Sequence, residues 1–445
     1  MDNSLRYTPG RTEPDPPTIM DFSDSMGILR ATEKCNGSGD CRKSVPAGGT
    51  MCPSYRATKD EKDTTRARAN ALREFLTNSN GSSPYDHEEL KTVFDLCLSC
   101  KACASECPSN VDVAALKAEF LYQYQKVHGV PLRSRLFGDN VKWNKIGSKV
   151  PWITNPVLNA SVTKRLLGIA TERSVPKLTN QTTRNWFRKN LIRLEQSHQT
   201  SQEEKREVYL FVDEFTDYYD SEIGRDCIEL LHMLGYRVLV TDHTESGRSL
   251  ISKGMLDKAK EVVDENIQHF RYLVSEEKPL VGIEPSAILG FRDEYLRLAE
   301  DKEAALEISK CAMTIEEFFQ REILAGRIQP KQFTDESKTL KIHGHCHQKS
   351  LSDVKATFDM LNLPRNYEVT VLNSGCRGMA GSFGYEKEHY EISMQVGEDT
   401  LFPKIRAAGS QVGIAAAGTS CRHQILDGTG TRAQHPVSLL RQALK

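Results

Sequence analysis

The stretch Cys97-Leu-Ser-Cys100-Lys-Ala-Cys103-Ala-Ser-Glu-Cys107-Pro108 decides the reading of the N-terminal part of this sequence. Its first three cysteines are separated by two residues each, and the fourth follows after three more. That tight spacing lets one loop wrap three corners of a [4Fe–4S] cubane, while the fourth thiolate reaches a second cluster and the proline turns the chain. Zinc is the competing reading, but zinc sites take their cysteines as separated pairs.

A two-cluster unit needs a partner run, and an altered one lies upstream as Cys35-x5-Cys41-x10-Cys52-Pro53. Cys35 and Cys41 take the first and third template positions, and Ser38 falls where the second cysteine belongs. Reciprocal sharing assigns Cys97, Cys100, Cys103 and Cys52 to one cluster, and Cys35, Cys41 and Cys107 to the other. The second is then one thiolate short. Ser38 ligates through its hydroxyl, Asp40 substitutes, Ser38 merely lines the loop, or the fourth iron is absent or solvent-bound; the spacing leaves these open. In each case this cluster is expected to be the more labile, with a [3Fe–4S] form among its states. Gly37, Gly39, Gly48 and Gly49 suit backbone wound tightly around an inorganic core. The segments ATKDEKDTTRARANALREFL and NVDVAALKAEFLYQYQKV around these runs read as helices, so residues 31–127 are expected to form an α-helical, ferredoxin-like two-cluster domain.

Working outward, 445 residues call for two or three folding units. A net charge of −1 gives no whole-molecule attraction to nucleic acid, and none is expected as a partner. No apolar run approaches a membrane span, and MDNSLRYTPGRTEPDPPTIMDF has neither the basic nor the apolar part of a secretion signal. A cytoplasmic location is therefore expected, where grouped cysteines read as metal ligands rather than disulfides. Residues 1–30 read as an extended lead-in. Residues 128–205 read as a basic linker: from His128 to Leu194 there are thirteen Lys or Arg against Asp139 and Glu172, with prolines at 131, 151, 156 and 176. Such a segment is either a solvated connector or a docking surface for an acidic partner or an anionic membrane face.

From about Arg206, the runs EVYLFV, YRVLVT, PLVGIE, LKIHG, EVTVLN and QVGIAAA read as buried strands. SEIGRDCIELLHML, AILGFRDEYLRLAE and EHYEISMQVGEDTL read as helices between them. This alternation predicts α/β layers with mostly parallel sheets. An internal repeat divides it. FVDEFTDYYD, ESGRSLISKG and GIEPSAIL in residues 206–335 answer to IHGHCHQKSL, GCRGMAGSFG and AGTSCRHQI in residues 336–445. Two related lobes packed face to face would bring these turns into one cleft.

HCHQK, GCRGMAGSFGYE and GTSCRHQI resemble the cysteine-rich CCG domains of iron–sulfur subunits. Those subunits serve glycolate oxidase, anaerobic glycerol-3-phosphate dehydrogenase and heterodisulfide reductase. The chain is also similar to the C-terminal half of large FAD-linked D-lactate or D-2-hydroxyglutarate dehydrogenases. CRK, GGTMCPSYRATKDEK, RARANALREF, CLSCKACASECPSNVD and EPSAILGFRDEY extend the likeness from about residue 22 to the end. It implies a ferredoxin-like domain followed by two CCG-type lobes, with FAD on a partner subunit or a preceding domain. The departures matter. The family's paired cysteines before glycine appear as Cys376-Arg377-Gly378, and its closing C-x2-C as Cys421-Arg422-His423-Gln424. Cys346, Cys376, Cys421 and His423 remain as a C-terminal ligand set for zinc or a further iron–sulfur centre. His343, His345, His347 and Arg377 flank it, and His345, His347 and Arg377 are candidate cofactor contacts. In the first lobe Asp213-Glu214-Phe215, Glu245-Ser246-Gly247 and Ala287 stand at the corresponding positions, so no metal is expected there. Cys227 and Cys311 read as core residues.

No G-x-G-x-x-G follows a strand and no P-loop is present. The resemblance therefore implies an iron–sulfur component that relays electrons from a FAD-containing 2-hydroxy-acid dehydrogenase subunit or domain. The acceptor is expected to be a quinone or another membrane-associated carrier, which places the chain peripherally at the inner face of the membrane. The rival readings are a heterodisulfide-reductase-like catalyst acting at the C-terminal cysteines, and a zinc-stabilised interaction module.

Overall fold

The computed structural model describes residues 16–79, 83–196 and 206–445. Half of the expected lead-in, residues 1–15, and the end of the basic segment, residues 197–205, lie outside the described residues.

Local capping explains where the two helices of the cysteine domain begin. Thr64 accepts from the Ala67 amide to start Thr65–Asn78, and Asp112 accepts from the Ala114 and Ala115 amides to start Val113–His128. Their inward faces bury Ala69, Leu72, Leu116 and Phe120, and Phe120 stacks on Phe94 at 5.2 Å. Cys41, Cys52, Cys103 and Cys107 belong to the same core. The end of the lead-in is tied to it, since the Ile19 and Met20 amides donate to the buried carboxylate of Glu119.

The basic segment is helical, with Leu132–Gly138, Asn140–Gly147, Pro151–Asn159, Ser161–Leu166 and Thr183–Gln196. Two of its prolines start helices: Pro131 is an N-cap and Pro151 a first helical residue, where the missing N–H costs nothing. Arg173, fully buried, fixes the segment to the C-terminal part. It donates to Gly384 O at 2.7 Å, Gln424 Oε1 at 2.6 Å and Ser393 Oγ at 2.8 Å.

Seven strands follow: β1 (Glu207–Phe211), β2 (Arg237–Leu239), β3 (Leu280–Gly282), β4 (Ala312–Thr314), β5 (Lys338–His343), β6 (Tyr367–Val371) and β7 (Gly413–Ala416). They form two small parallel sheets, ordered β2-β1-β3-β4 and β6-β5-β7. Six strands fall on the expected runs. β4 lies outside them; its three residues join a helix ending at Cys311 to one beginning at Ile315. The expected helix over AILGFRDEYLRLAE is instead three short pieces, Pro285–Ile288, Leu289–Arg292 and Glu294–Leu298. Both sheets bury their strands in one core, in which Val208, Leu210 and Val281 meet Leu340, Ile342 and Ala415. Cys227 lies in this core and Cys311 is also buried. The protein is thus helix-rich, with two small parallel sheets.

Candidate metal centre

Every cysteine among the described residues is a free thiol. The Cys97–Cys107 loop is wound by left-handed backbone at Ser99 (φ 47°) and Lys101 (φ 62°). Such alternation turns successive N–H groups toward one side, a concavity suited to anions. The Ala102 and Val113 amides lie beside the sulfurs of Cys100 and Cys103 and oppose the rise of their pKa. Upstream, the Arg66 amide does the same for Cys41. Lys101 turns away from the loop and is buried against three carboxylates: Asp293 at 2.6 Å, Asp112 at 3.2 Å and Glu294 at 3.4 Å. Two of the three belong to the first sheet's half of the chain, so this cation pins the cysteine loop to it.

The two cysteine runs converge. Glu106 accepts from the Thr50 amide at 2.7 Å and the Met51 amide at 3.0 Å, seating the 48–53 turn beside the 103–107 turn. A Cβ at Gly49, which has φ +68°, would lie 2.6 Å from that carboxylate. Burial, with Cys346, Cys103 and Cys52 as neighbours, pushes the Cys100 thiol well above its ordinary pKa. Burial, Asp112, Cys97 and Cys52 do the same to Cys103. Cys52 therefore shares its surroundings with Cys97, Cys100 and Cys103. Cys41 is raised by burial and by Cys52 and Cys35, while Asn70 Nδ2 approaches Cys35 Sγ at 3.9 Å. Ser38 is exposed, and its hydroxyl faces its own loop, 3.5 Å from the Asp40 amide. Asp40 is engaged with Lys43 at 2.7 Å. Thiols this buried resist ionising alone, yet N–H groups are aimed at their sulfurs. That donor set fits thiolates bound to a positively charged inorganic core.

The C-terminal residues gather at the carboxyl ends of strands, where open α/β sheets place their sites. Cys346 follows β5 and lies 3.6 Å from Cys376, sulfur to sulfur. Arg377 Nη1 donates to Cys346 Sγ at 3.5 Å, and the Gly378 amide to Cys376 Sγ at 3.4 Å. The Cys376 hydrogen bond, with Arg377 and Lys349 nearby, holds the Cys346 thiol down at about 5 despite burial. Burial pushes Cys421 up to about 11 even beside Arg377. His345 packs against this group: a Cβ at Gly418 would lie 2.4 Å from its ring and 3.1 Å from Cys421 Sγ. His423 is directed elsewhere, among Asp220, Arg422, Asp427 and Arg173, because two residues along a helix place it on another face from Cys421. Gln424 instead joins the structure's interior, donating to Arg377 O at 2.9 Å and Ser393 O at 3.0 Å. In the other lobe Asp213 caps the helix Glu214–Tyr218, and Glu214 accepts from the Ser246 amide and hydroxyl at 2.9 and 2.8 Å.

Zinc donors must crowd within one small tetrahedron. Among the described residues, the one set of three such side chains with ligand atoms within 4.8 Å of one another is Glu386, Glu388 and His389. Those already pair with Lys253, Arg133 and Asp95. Cys346, Cys376, Cys421 and His423 are not gathered in that way, and a guanidinium stands among the three thiols.

One cavity of about 720 Å³ connects the two cysteine sites. Cys97 and Cys100 line one side, Cys346, Cys376 and Arg377 another, and Pro131, Arg133 and Phe137 of the basic segment a third. Arg248 and Glu284 also line it. Both fall in stretches of the internal repeat, ESGRSLISKG and GIEPSAIL, but nothing in the repeat marks either as a cavity residue.

Residues 34–112 match the 4Fe-4S dicluster domain family. The chain is 25% identical to D-2-hydroxyglutarate dehydrogenase of Haemophilus influenzae, over 94% of its own length and 44% of the relative's. The Escherichia coli (strain K12) D-2-hydroxyglutarate dehydrogenase gives the same figures. A subunit of the anaerobic glycerol-3-phosphate dehydrogenase of Escherichia coli (strain K12) is 28% identical over 66% of this chain and 72% of that one. The chain thus spans less than half the length of the D-2-hydroxyglutarate dehydrogenases it matches. No solved structure gives a significant match. The chain thus carries a 4Fe-4S dicluster domain and is similar to part of the D-2-hydroxyglutarate dehydrogenases and to that anaerobic glycerol-3-phosphate dehydrogenase subunit.

Proposed function

We propose that this chain is the electron-transfer component of a FAD-linked 2-hydroxy-acid dehydrogenase, accepting electrons from a flavin on a partner subunit or domain and passing them to a quinone-type acceptor. The observation that carries the reading is the convergence of two cysteine runs around amide-directed, buried sulfurs. Cys97, Cys100, Cys103 and Cys52 would hold one cluster, and Cys35, Cys41 and Cys107 the other, next to Ser38. Bound there, iron–sulfur clusters supply one-electron chemistry at potentials set by charge, burial and hydrogen bonds to sulfur. The chain's own contribution is to exclude water from Cys52, Cys103 and Cys107, to direct N–H groups at sulfur, and to set Arg68 and Lys117 beside the ligands. Lys117 donates to Cys97 O at 2.6 Å. The C-terminal CCG-type lobes close a cavity over Cys100 rather than gather a zinc tetrahedron.

The acceptor side draws on the basic segment. Trp152, Leu166 and Leu132 are 76%, 83% and 73% exposed. The helix Pro151–Asn159 buries no residue and carries no charge, between Lys149 on one side and Arg165 on the other, both exposed. An apolar face rimmed by cations fits the interface of an anionic membrane, where a lipid-soluble acceptor would be met. Among the described residues no helix is long and apolar enough to cross one.

The test is iron and acid-labile sulfide per chain after anaerobic purification, with an EPR spectrum of the reduced protein. About seven to eight irons with two interacting signals are expected. Roughly four would remove the Ser38-side cluster from the path, and none would end the reading. Thiol chemistry has one observation in its favour, the 3.6 Å separation of Cys346 and Cys376. Reduction of a small disulfide by the chain with a chemical electron donor, abolished by Cys346→Ser, would establish it.

A further inference from the structure

The inner end of the cavity holds polar groups that nothing in the protein satisfies. Arg377 is 4% exposed; its Nη1 is spent on Cys346 and its Nη2 on Ser420, but its Nε has no partner. His347 is 8% exposed, lines the same cavity, and has neither ring nitrogen hydrogen-bonded. An imidazole carries an N–H in either protonation state, so the ring presents a donor whatever its charge. An unmet buried donor is costly, and native proteins rarely leave several together.

The surrounding charges fix the sign of what would satisfy them. Arg248 enters from the other lobe, bonded through one nitrogen to Glu294. Ser286 and Ser420 add hydroxyls to the cavity wall. Glu284 also lines it, but its oxygens are engaged by the Thr419 amide at 2.8 Å and the Ser286 hydroxyl at 2.8 Å. Cys346 lines it too, with its sulfur engaged by Cys376 and Arg377. The open positions are therefore mainly donors beside two guanidinium groups. A metal cation is the wrong guest for them.

We propose that this end of the cavity binds a small oxyanion, a carboxylate or phosphate group, held by Arg377 Nε, the His347 N–H and the Ser420 hydroxyl, with Arg248 supplying further positive charge. Arg377 stands where the family's second paired cysteine would be, so the change that removes a thiolate creates an anion site. The ligand lies in the cavity that Cys100 lines, which gives a spectroscopic report of occupancy. Binding does not require that electrons pass through the chain.

The experiment is calorimetric titration of the anaerobically purified full chain with oxalate, with succinate and with inorganic phosphate, alongside EPR of the reduced protein with and without each. Saturable binding of one probe, with altered g-values, is expected, and the probe that binds identifies the source of the oxyanion. Arg377→Gln and His347→Gln should each weaken binding at least tenfold, while Arg377→Lys restores part of it and Lys331→Gln on the surface leaves it unchanged. Iron content measured on every variant separates lost binding from a lost fold. No binding by any of the three probes, or undiminished binding in both Arg377→Gln and His347→Gln, would overturn the proposal.

Discussion

Arg68 donates through Nη1 to the sulfur of Cys52 at 3.4 Å, with both side chains buried. The same guanidinium bonds Asp63 O at 2.6 Å, Ser54 Oγ at 3.1 Å and Val93 O at 3.0 Å. It also faces the Asp63 carboxylate at 3.3 Å, with both side chains 1% exposed. A cation fixed by four protein groups is thereby held against one cysteine sulfur.

That arrangement predicts the effect of Arg68→Gln. A positive charge and an N–H donor at a ligand sulfur favour the more negative, reduced state of a cluster. The substitution should lower the midpoint potential of the cluster that uses Cys52, measured by EPR-monitored redox titration. Asp63 is left buried without its counter-charge, so unfolding stability should fall by about 3–5 kcal/mol. An unchanged potential at full iron content would remove Cys52 from the ligand set.

Ser38 gives a sharper test of the short cluster. Its hydroxyl is exposed and turned to its own loop, and Asp40 is held by Lys43. Ser38→Ala should therefore leave iron content unaltered, whereas Ser38→Cys supplies the missing thiolate at the template position. The cysteine variant should retain close to about eight irons per chain after exposure to air, where the wild type falls toward roughly four. Loss of iron in Ser38→Ala would instead make the hydroxyl a ligand.

How much of this is legible in the sequence follows the range of the interactions. The Cys97–Cys107 run, the caps at Thr64 and Asp112, and six strands rest on spacing and periodicity within a few residues, so the sequence carries them openly. β4 does not announce itself because its three residues run directly from one helix into the next, with no turn residue to bound them. The broken helix near Asp293 does not either, since Asp293 and Glu294 are committed to Lys101, far away along the chain. His423 shows the limit of motif reasoning. Beside Cys421 in sequence it looks like a ligand, yet helical rotation turns it toward Asp220 and Asp427. Gln424 reads only as a missing cysteine, because its hydrogen bonds reach partners that no local pattern brings near.

The junction of the domains has its own pH signature. His389 hydrogen-bonds Asp95 of the cysteine domain at 2.9 Å and forms an ion pair with Glu386 at 3.1 Å, and Glu386 also pairs with Lys253 and Arg133. Burial opposes charge on His389, but the bonds to Asp95 and Glu386 outweigh it and raise its pKa above 6.5. Burial likewise opposes charge on Glu386, and the His389 bond with the Lys253 and Arg133 pairs holds it well below 4.5. The His389 contribution is complete below pH 6.5 and is lost as pH rises through its raised pKa. That of Glu386 is complete above pH 4.5 and is lost as pH falls. Both act fully between those values. In urea unfolding, the stability gap between wild type and His389→Gln should therefore be widest near about pH 5.5 and narrow as pH rises beyond about 6.5. A gap independent of pH would mean that His389 acts by packing alone.

The basic segment offers the last test, because its chemistry separates a membrane from an acidic protein. Trp152 and Leu166 stand out among its exposed apolar residues, and fully burying each side chain is worth about 1.5–3 kcal/mol. The Lys145 and Lys149 charges add about 1 kcal/mol apiece near an anionic surface, an increment that salt screens. Co-sedimentation with vesicles containing phosphatidylglycerol should then weaken at least a hundredfold in Trp152→Asp/Leu166→Asp, and do so at low and high salt alike. Lys145→Gln/Lys149→Gln should weaken it less, and only at low salt. A wild-type chain that ignores these vesicles while an acidic flavoprotein protects Trp152 from quenching would assign the surface to a protein. The acceptor would then have to reach the cavity through water.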